Sequence, residues 1–143
     1  MSTPSTPNTP TSVVFVCKKN GGKSQLAAAL LRAIGDESIS VTSAGTSPGG
    51  SLNAESVESL AELGIDVGDE HPKPLTQAML DAADLVVLLG DEAQLPEGVT
   101  APVEQWITDE PSTRGIVGME RMRLVRDDIR ARVAELHSRL RDA

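Results

Sequence analysis

The chain has 143 residues, 39% of them hydrophobic, and a formal net charge of −8, which suits a single domain with a core of its own. The acidic balance argues against nucleic acid as a partner, and no apolar run reaches the about 18–20 residues that a membrane span needs. The single cysteine excludes an internal disulfide and makes a cytoplasmic location the default expectation, and together with only two histidines it argues against a metal site.

The N-terminal segment separates a tail from a folded domain. Residues 1–12 are serine, threonine, proline and asparagine after the initial methionine, and we expect a disordered tail followed by one domain at 13–143. Val13–Cys17 is a continuous apolar run, typical of a strand buried on both faces. A glycine-rich turn follows, and apolar residues recur at helical spacing from Ser24 to Ile34.

The rest of the chain alternates predicted strands and helices. They are a strand at 38–43, a helix that Asn53 caps and that runs to Leu63, a short helix from Thr76 to about Ala82, a strand at 84–90, a short strand at 102–106 and an amphipathic helix at 119–140. Such alternation predicts a parallel sheet with right-handed crossovers. If the first strand is central, its C-terminal end is the switch point at which ligands bind in open α/β sheets. Cys17 occupies that end.

The turn that follows Cys17 combines a thiol with an anion site. A helix N-terminus offers unpaired backbone N–H groups and the positive end of a dipole, and the same field favours the nucleophilic thiolate over the thiol. Two motifs fit this turn, each with one mismatch. The nucleotide-binding G-x-x-x-x-G-K-[ST] motif has Cys17 at its first glycine, whereas the C-x5-R-[ST] phosphate loop has Lys23 at its arginine.

Over nearly all of its length after the tail, the chain resembles the arsenate reductases built on the low-molecular-weight tyrosine phosphatase fold. The segments that carry the resemblance are Cys-Lys-Lys-Asn-Gly-Gly-Lys-Ser-Gln at 17–25, Ser-Ala-Gly-Thr at 43–46, the strand at 84–90, Trp-Ile-Thr-Asp-Glu-Pro at 106–111 and the start of the last helix. The resemblance implies a three-layer α/β/α fold around a mostly four-stranded parallel sheet of order 2-1-3-4. The loop ending Asn-Gly-Gly-Lys-Ser is similar to that of the single-cysteine reductases that use mycothiol.

This resemblance implies a role for each residue of the loop. Cys17 would attack arsenic, and Ser24 would hydrogen-bond and stabilise the thiolate. Lys23 would supply the charge that arginine gives in the phosphatases, although an ammonium cannot make the two-pronged bond of a guanidinium. Asn20 would lock the loop through its amide. The implied oxyanion-binding nest consists of Lys18, Lys19, Asn20, Gly21, Gly22, Lys23 and Ser24.

The proton donor is open between two acids. Phosphatase relatives place aspartate directly before a proline and protonate the leaving group from it. In this chain Glu110 precedes Pro111 and takes the role by position, while Asp109 takes it by chemical type. We favour Asp109, because the longer reach of glutamate alters the geometry.

The use of one cysteine predicts an external reductant. Reductases that form their own disulfide need two further cysteines, so we expect a small thiol to take over the arsenic and a redoxin to reduce the resulting adduct. The resemblance implies mycothiol as co-substrate, a mycoredoxin or glutaredoxin-like protein as partner, arsenate as substrate, and no bound cofactor or metal.

Three alternatives remain at the level of sequence. A tyrosine phosphatase needs aromatic walls, and this chain has only Phe15 and Trp106. A P-loop ATPase or kinase would use Asp91 at the end of its strand. A module that binds an oxyanion without turnover is the third. We expect the arginines of the last helix to form a solvated face with pairs such as Arg123–Asp127 and Arg132–Asp128.

Overall fold

The computed structural model describes residues 10–142. In chain order the elements are β1 (Thr11–Cys17), α1 (Lys23–Ile34), β2 (Ile39–Gly45), α2 (Ala54–Ala61), α3 (Gln77–Ala82), β3 (Leu85–Leu89), β4 (Val103–Trp106), a 3-10 helix (Pro111–Arg114) and α4 (Gly118–Arg141). The strands form one parallel sheet in the order β2-β1-β3-β4. The predicted fold class and strand order are therefore confirmed.

The sheet is covered on both faces, because side chains along a strand point alternately to opposite sides. Val13 and Phe15 belong to the larger core under α1, α2 and α4, whereas Val14 and Val16 belong to a smaller core under α3 and the segment that follows β3. All four side chains are at most 1% exposed. Burial on both faces explains why β1 contains an unbroken apolar run. Within the sheet, β1 lies between β2 and β3.

The first strand begins earlier than its apolar run. Thr11 and Ser12, which the sequence assigned to the tail, pair with Ile39 and Ser40 of β2. The Ser12 N–H also donates to Asp84 Oδ2 at 2.7 Å. Polar residues enter the strand here because the pairing is made by backbone groups, and the remaining part of the predicted tail, residues 1–9, lies outside the described residues.

Side-chain caps fix two helix starts where the sequence predicts them. Asn53 Oδ1 accepts from the Ser56 N–H at 2.9 Å, and Thr76 Oγ1 accepts from the Met79 N–H at 3.1 Å. The helix that Asn53 caps is shorter than predicted, since it ends at Ala61. Its last turn is closed by the N–H of Gly64, which has a φ of +78°, a conformation that glycine adopts without strain.

Arginines of the last helix form ion pairs with other elements as well as within the helix. Arg132 pairs with Asp128 at 3.0 Å as predicted, but the prediction of an Arg123–Asp127 pair is wrong. Arg123 pairs with Glu62 at 2.7 Å, and Arg126, which is 8% exposed, donates to Glu62 and to the Ser59 carbonyl. The correction follows from the packing of α4 on α2, which brings Glu62 within reach.

None of the helices in residues 10–142 combines the length and the apolar character that crossing a bilayer requires.

Candidate active site

The loop between β1 and α1 lies at the C-terminal end of the central strand, as the topology predicts. Its carbonyl groups are held from one side by the segment that follows β2. Thr46, Ser47, Gly49 and Asn53 donate their N–H groups to the carbonyls of Cys17, Lys18, Lys19 and Gly21, at 2.7–3.1 Å.

Two N–H groups of the loop, those of Gly21 and Gly22, have no partner of this kind within residues 10–142. Gly21 and Gly22 donate to no protein group within the described residues, and Gly22 caps α1 without a side-chain hydrogen bond. The first N–H groups of a helix have no partner within it. Unpaired donors at a helix start are the groups that bind anions in other proteins, so these two N–H groups are available to an oxyanion.

Two hydrogen bonds reach the sulfur of Cys17. The Asn20 N–H donates to Sγ at 3.2 Å, and Ser24 Oγ lies 2.9 Å from Sγ. The Asn20 side-chain amide donates to Ser24 Oγ at 2.8 Å, which fills an acceptor position of the hydroxyl and leaves its hydrogen free. The Ser24 hydroxyl is thus set to donate to Sγ, an arrangement that stabilises a thiolate, which can only accept.

The Asn20 side chain connects the loop to the chain around it. Asn20 is fully buried and has a φ of +55°, the left-handed region that asparagine tolerates. Its Oδ1 accepts from Gln25 Nε2 at 3.1 Å and from the Lys73 N–H at 3.0 Å. The backbone of Lys73 therefore supports the loop, while its ammonium pairs with Glu70 at 2.7 Å.

A cavity of about 460 Å³ opens above the sulfur. Lys18, Lys19, Lys23 and Arg121 bring positive charge to it, and Asp91, Glu92 and Glu110 bring negative charge. The remaining wall is formed by Cys17, Gly22, Leu89 and Gly90. The cavity is larger than one tetrahedral oxyanion and leaves room for a second reactant at Cys17.

The two candidate acids lie in different positions relative to the cavity. Glu110 lines the cavity, where Oε1 lies 3.9 Å from Lys23 Nζ. Asp109 is not among the residues that line it, and its carboxylate pairs with Arg114 at 2.8 and 3.0 Å. Of the two acids, the structure therefore places Glu110 in the cavity, whereas the Arg114 guanidinium holds Asp109 in an exposed ion pair outside it.

Both acids have a pKa below the ordinary value for their type. The two-pronged hydrogen bond from Arg121, assisted by hydrogen bonds from Ser112, lowers the pKa of Glu110 to about 2 against the opposing effect of partial burial. The hydrogen bonds from Arg114 likewise hold the pKa of Asp109 below its ordinary value. With Arg121 in place, Glu110 is a fixed anion near Cys17 at neutral pH.

Among residues 10–142, no aromatic ring lines the cavity. Trp106 is 5% exposed and packs on Phe15 in the core, with ring centroids 5.8 Å apart and planes inclined by 56°. Its indole N–H donates to Glu104 at 3.1 Å. The walls that a phenyl phosphate ester would need are absent from this cavity.

Two features of the site were not foreseen from the sequence. The sequence predicts that Arg121 belongs to the solvated face of the last helix. In the structure it lines the cavity and donates two hydrogen bonds to Glu110. The support that residues 46–53 give to the loop carbonyls was also not predicted. The only sequence signal for Arg121 is its place near the start of the last helix, shortly after the segment that carries Asp109 and Glu110 and is called the acidic loop below.

The sequence and fold match a known family. The family model for low molecular weight phosphotyrosine protein phosphatase matches residues 12–143, and the chain belongs to this family.

Several proteins that are similar to this chain in sequence and fold are named as arsenate reductases. The chain is 30% identical to a glutaredoxin arsenate reductase of Synechocystis, over 90% of this chain and 97% of that protein. A solved structure of an arsenate reductase in the phosphate-binding state is 30% identical, with a TM-score of 0.78 and coverage of 90% and 97%. A thioredoxin-dependent arsenate reductase of Corynebacterium glutamicum is 28% identical with a TM-score of 0.79, and the match covers 94% of this chain but only 64% of that longer one.

Proposed function

We propose that this protein is an arsenate reductase in which Cys17 is the nucleophile and a small external thiol removes the arsenic. The observation that carries the proposal is the placement of the Cys17 sulfur, 2.9 Å from Ser24 Oγ, below a cavity with four cationic side chains. The arsenate reductase names of the similar proteins support the choice of arsenate among the oxyanions.

In the first step the Cys17 thiolate attacks arsenic of bound dihydrogen arsenate. A sulfur–arsenic bond forms, one arsenic–oxygen bond breaks, and the leaving hydroxyl takes the second proton of the anion and departs as water. Arsenic stays pentavalent, and no proton from the protein is required. This suits a cavity in which the carboxyl beside Lys23, that of Glu110, has a pKa lowered to about 2. The loop N–H groups and Lys23 stabilise the charge that the oxygens carry in the transition state.

In the second step an external thiolate attacks the arsenic and displaces Cys17 as a thiolate, which gives an arseno-thiol adduct. A redoxin thiolate then attacks the sulfur of that adduct. A mixed disulfide forms, and the electron pair of the sulfur–arsenic bond reduces arsenic to the trivalent arsenite. The chain has no second cysteine to supply these electrons. On the resemblance of the Asn20–Ser24 loop, we propose mycothiol and a mycoredoxin or glutaredoxin-like protein for these two roles.

The proposal is tested by measuring arsenite release from arsenate with the purified protein and a thiol–redoxin system. We expect turnover by the wild type and none by Cys17→Ser, with both proteins equally folded by circular dichroism. Lys23→Ala should mainly raise the KM for arsenate. Absence of turnover by the wild type with every thiol system, or turnover by Cys17→Ser, would contradict the proposal.

The three alternative functions predict different results from the reductase proposal. A phosphatase would hydrolyse aryl phosphates at a rate comparable to arsenate reduction, which the lack of an aromatic ring in the cavity argues against. A nucleotide-binding protein would bind ATP in a magnesium-dependent manner. An oxyanion-binding module would keep its function in the Cys17→Ser variant.

A further inference from the structure

We propose that Arg121 of α4 is an oxyanion-binding residue of this site and that Glu110 is the positioning residue that holds it there. The inference rests on the proposed function, because it deepens the account of how the site binds its tetrahedral anion. It assigns the two-pronged recognition, which the lysine at position 23 cannot provide, to a guanidinium from another element.

The first argument is the geometry of the Arg121–Glu110 pair. Arg121 Nε donates to Glu110 Oε2 at 2.6 Å, and Nη2 donates to Oε1 at 2.8 Å. This side-on contact uses two of the five N–H donors of the guanidinium. Nη1 makes no hydrogen bond or ion pair within residues 10–142. The end-on edge, formed by Nη1 and the second N–H of Nη2, remains available to a second anion.

The second argument is the position of the pair in the cavity. Arg121, Glu110, Lys23 and Cys17 line the same space. Glu110 Oε1 lies 3.9 Å from Lys23 Nζ, so the carboxylate stands between the ammonium and the guanidinium. An anion above the Cys17 sulfur would meet the loop N–H groups from one side and these two cations from another.

The third argument is the fixation of Glu110 itself. Its Oε2 accepts from the N–H and the hydroxyl of Ser112, at 3.3 and 2.7 Å, and Pro111 begins the 3-10 helix directly after it. The carboxylate is thereby held by Ser112 as well as by Arg121. Because an arginine side chain has many rotamers, an anchored carboxylate reduces the entropy that is lost when the guanidinium binds a ligand.

Binding of inorganic phosphate and of arsenate to the Cys17→Ser protein, followed by calorimetry, tests the proposal without chemistry at the sulfur. We expect Arg121→Lys, which keeps the charge and loses the fork, to weaken binding of both anions by about tenfold to a hundredfold. Arg123→Ala is the matched control, since Arg123 lies two residues away on the same helix and pairs with Glu62 instead. It should leave binding unchanged.

The double variant Arg121→Ala with Glu110→Gln separates ligand binding from charge neutralisation. If Arg121 only neutralised Glu110, removal of both charges would restore wild-type binding; if Arg121 binds the anion, the double variant stays weak. Restored binding, or unchanged binding in Arg121→Lys, would overturn this inference and leave the reductase proposal standing. Absence of oxyanion binding in the Cys17→Ser parent, together with absence of arsenate turnover in the wild type, would overturn the proposed function itself. Thermal unfolding of each variant confirms that it is folded.

Discussion

At the scale of single residues, the site is organised by a directed chain of hydrogen bonds. The Asn20 amide donates to Ser24 Oγ, and this direction leaves the Ser24 hydrogen for the Cys17 sulfur. Asn20 is held in turn by Gln25 and by the backbone N–H of Lys73. Because each of these groups orients the next, the chain of hydrogen bonds is sensitive to single substitutions.

We predict that Ser24→Ala slows alkylation of Cys17 by iodoacetamide at pH 7 by about tenfold, because a charge-assisted hydrogen bond to the sulfur is lost. The measurement is the rate of modification by mass spectrometry. Ser38→Ala is the control, because Ser38 lies in the turn before β2 and bonds only Asp36 with its hydroxyl. Equal rates in Ser24→Ala and the wild type would show that the hydroxyl does not stabilise the thiolate.

A pair of substitutions at Asn20 separates side-chain from backbone effects. We predict that Asn20→Gly lowers the free energy of unfolding by about 2–3 kcal/mol, since buried partners lose their hydrogen bonds. Asn20→Ala should cost about 1 kcal/mol more, because alanine is strained at the φ of +55°. Urea denaturation measures both values. Equal stability of the two variants would contradict the left-handed conformation at this position.

At the scale of elements, the end of β2 passes directly beneath the loop after β1. A Cβ on Gly45 would lie 2.7 Å from the Lys18 carbonyl oxygen and 3.0 Å from Asn20 Cβ. Gly45 also pairs with Pro74 and bonds the backbone of Lys73 and Leu75. The strand end thus acts as a platform, and its smallest residue sets how closely the loop can approach.

We predict that Gly45→Ala lowers arsenate turnover by at least about tenfold and the free energy of unfolding by about 1–3 kcal/mol, because the loop must shift to make room. Gly50→Ala is the matched control, because a Cβ at that position meets nothing within 4 Å. Turnover assays and urea denaturation of both variants measure the difference. Wild-type turnover in Gly45→Ala would show that the close approach is unimportant.

The elements themselves were largely predictable, and their long-range contacts were not. The apolar runs at 13–17 and 84–90, and the caps at Asn53 and Thr76, carry local signals that the structure confirms. Pairing of Thr11 and Ser12 in β1 depends on backbone groups of β2, which leave no trace in side-chain pattern.

In the site, too, local contacts were predictable from the sequence and long-range contacts were not. The Cys17–Ser24 contact follows from a spacing of seven residues, within one strand–loop–helix unit. Which of Asp109 and Glu110 faces the cavity depends on the carboxylate that Arg114 and Arg121 each reach, and both arginines lie beyond the acidic loop. Contacts between side chains of different elements depend on how α4 is oriented on the sheet, and sequence periodicity does not specify that orientation.

At the scale of the whole molecule, an acidic chain carries a site that is lined by four cationic and three acidic side chains. The net charge is −8, yet arginines hold several glutamates as ionised partners. Hydrogen bonds from Arg123 to Glu62, from Arg121 to Glu110 and from Arg139 to Glu104 each lower the pKa of the carboxyl, to about 2 for Glu62 and Glu110. Through Glu62, Glu110 and Glu104, these pairs connect α4 to the C-terminal end of α2, to the acidic loop and to β4, respectively.

The lowered pKa values predict acid sensitivity. A carboxyl with a lower pKa in the folded chain contributes stability that is complete above its unfolded value of 4.5 and is lost as the pH falls toward about 2. Glu110→Gln should therefore be less stable than the wild type by about 1 kcal/mol at pH 7, a value reduced by solvent screening, and should match it near pH 2. Urea denaturation from pH 7 to pH 2 measures the two curves, and Glu97→Gln in an exposed loop is the control. A constant difference across this range would contradict the assignment.

The most direct test of the central claim, that one cysteine passes arsenic to an external small thiol, is arsenite production under three reducing systems. Mycothiol with mycoredoxin, glutathione with glutaredoxin, and thioredoxin with its reductase are each supplied with arsenate and the wild-type protein. The account predicts turnover with a small thiol and its redoxin, and an arseno-thiol adduct of the small thiol that accumulates when the redoxin is omitted. Turnover with thioredoxin alone, and none with either small thiol, would contradict it.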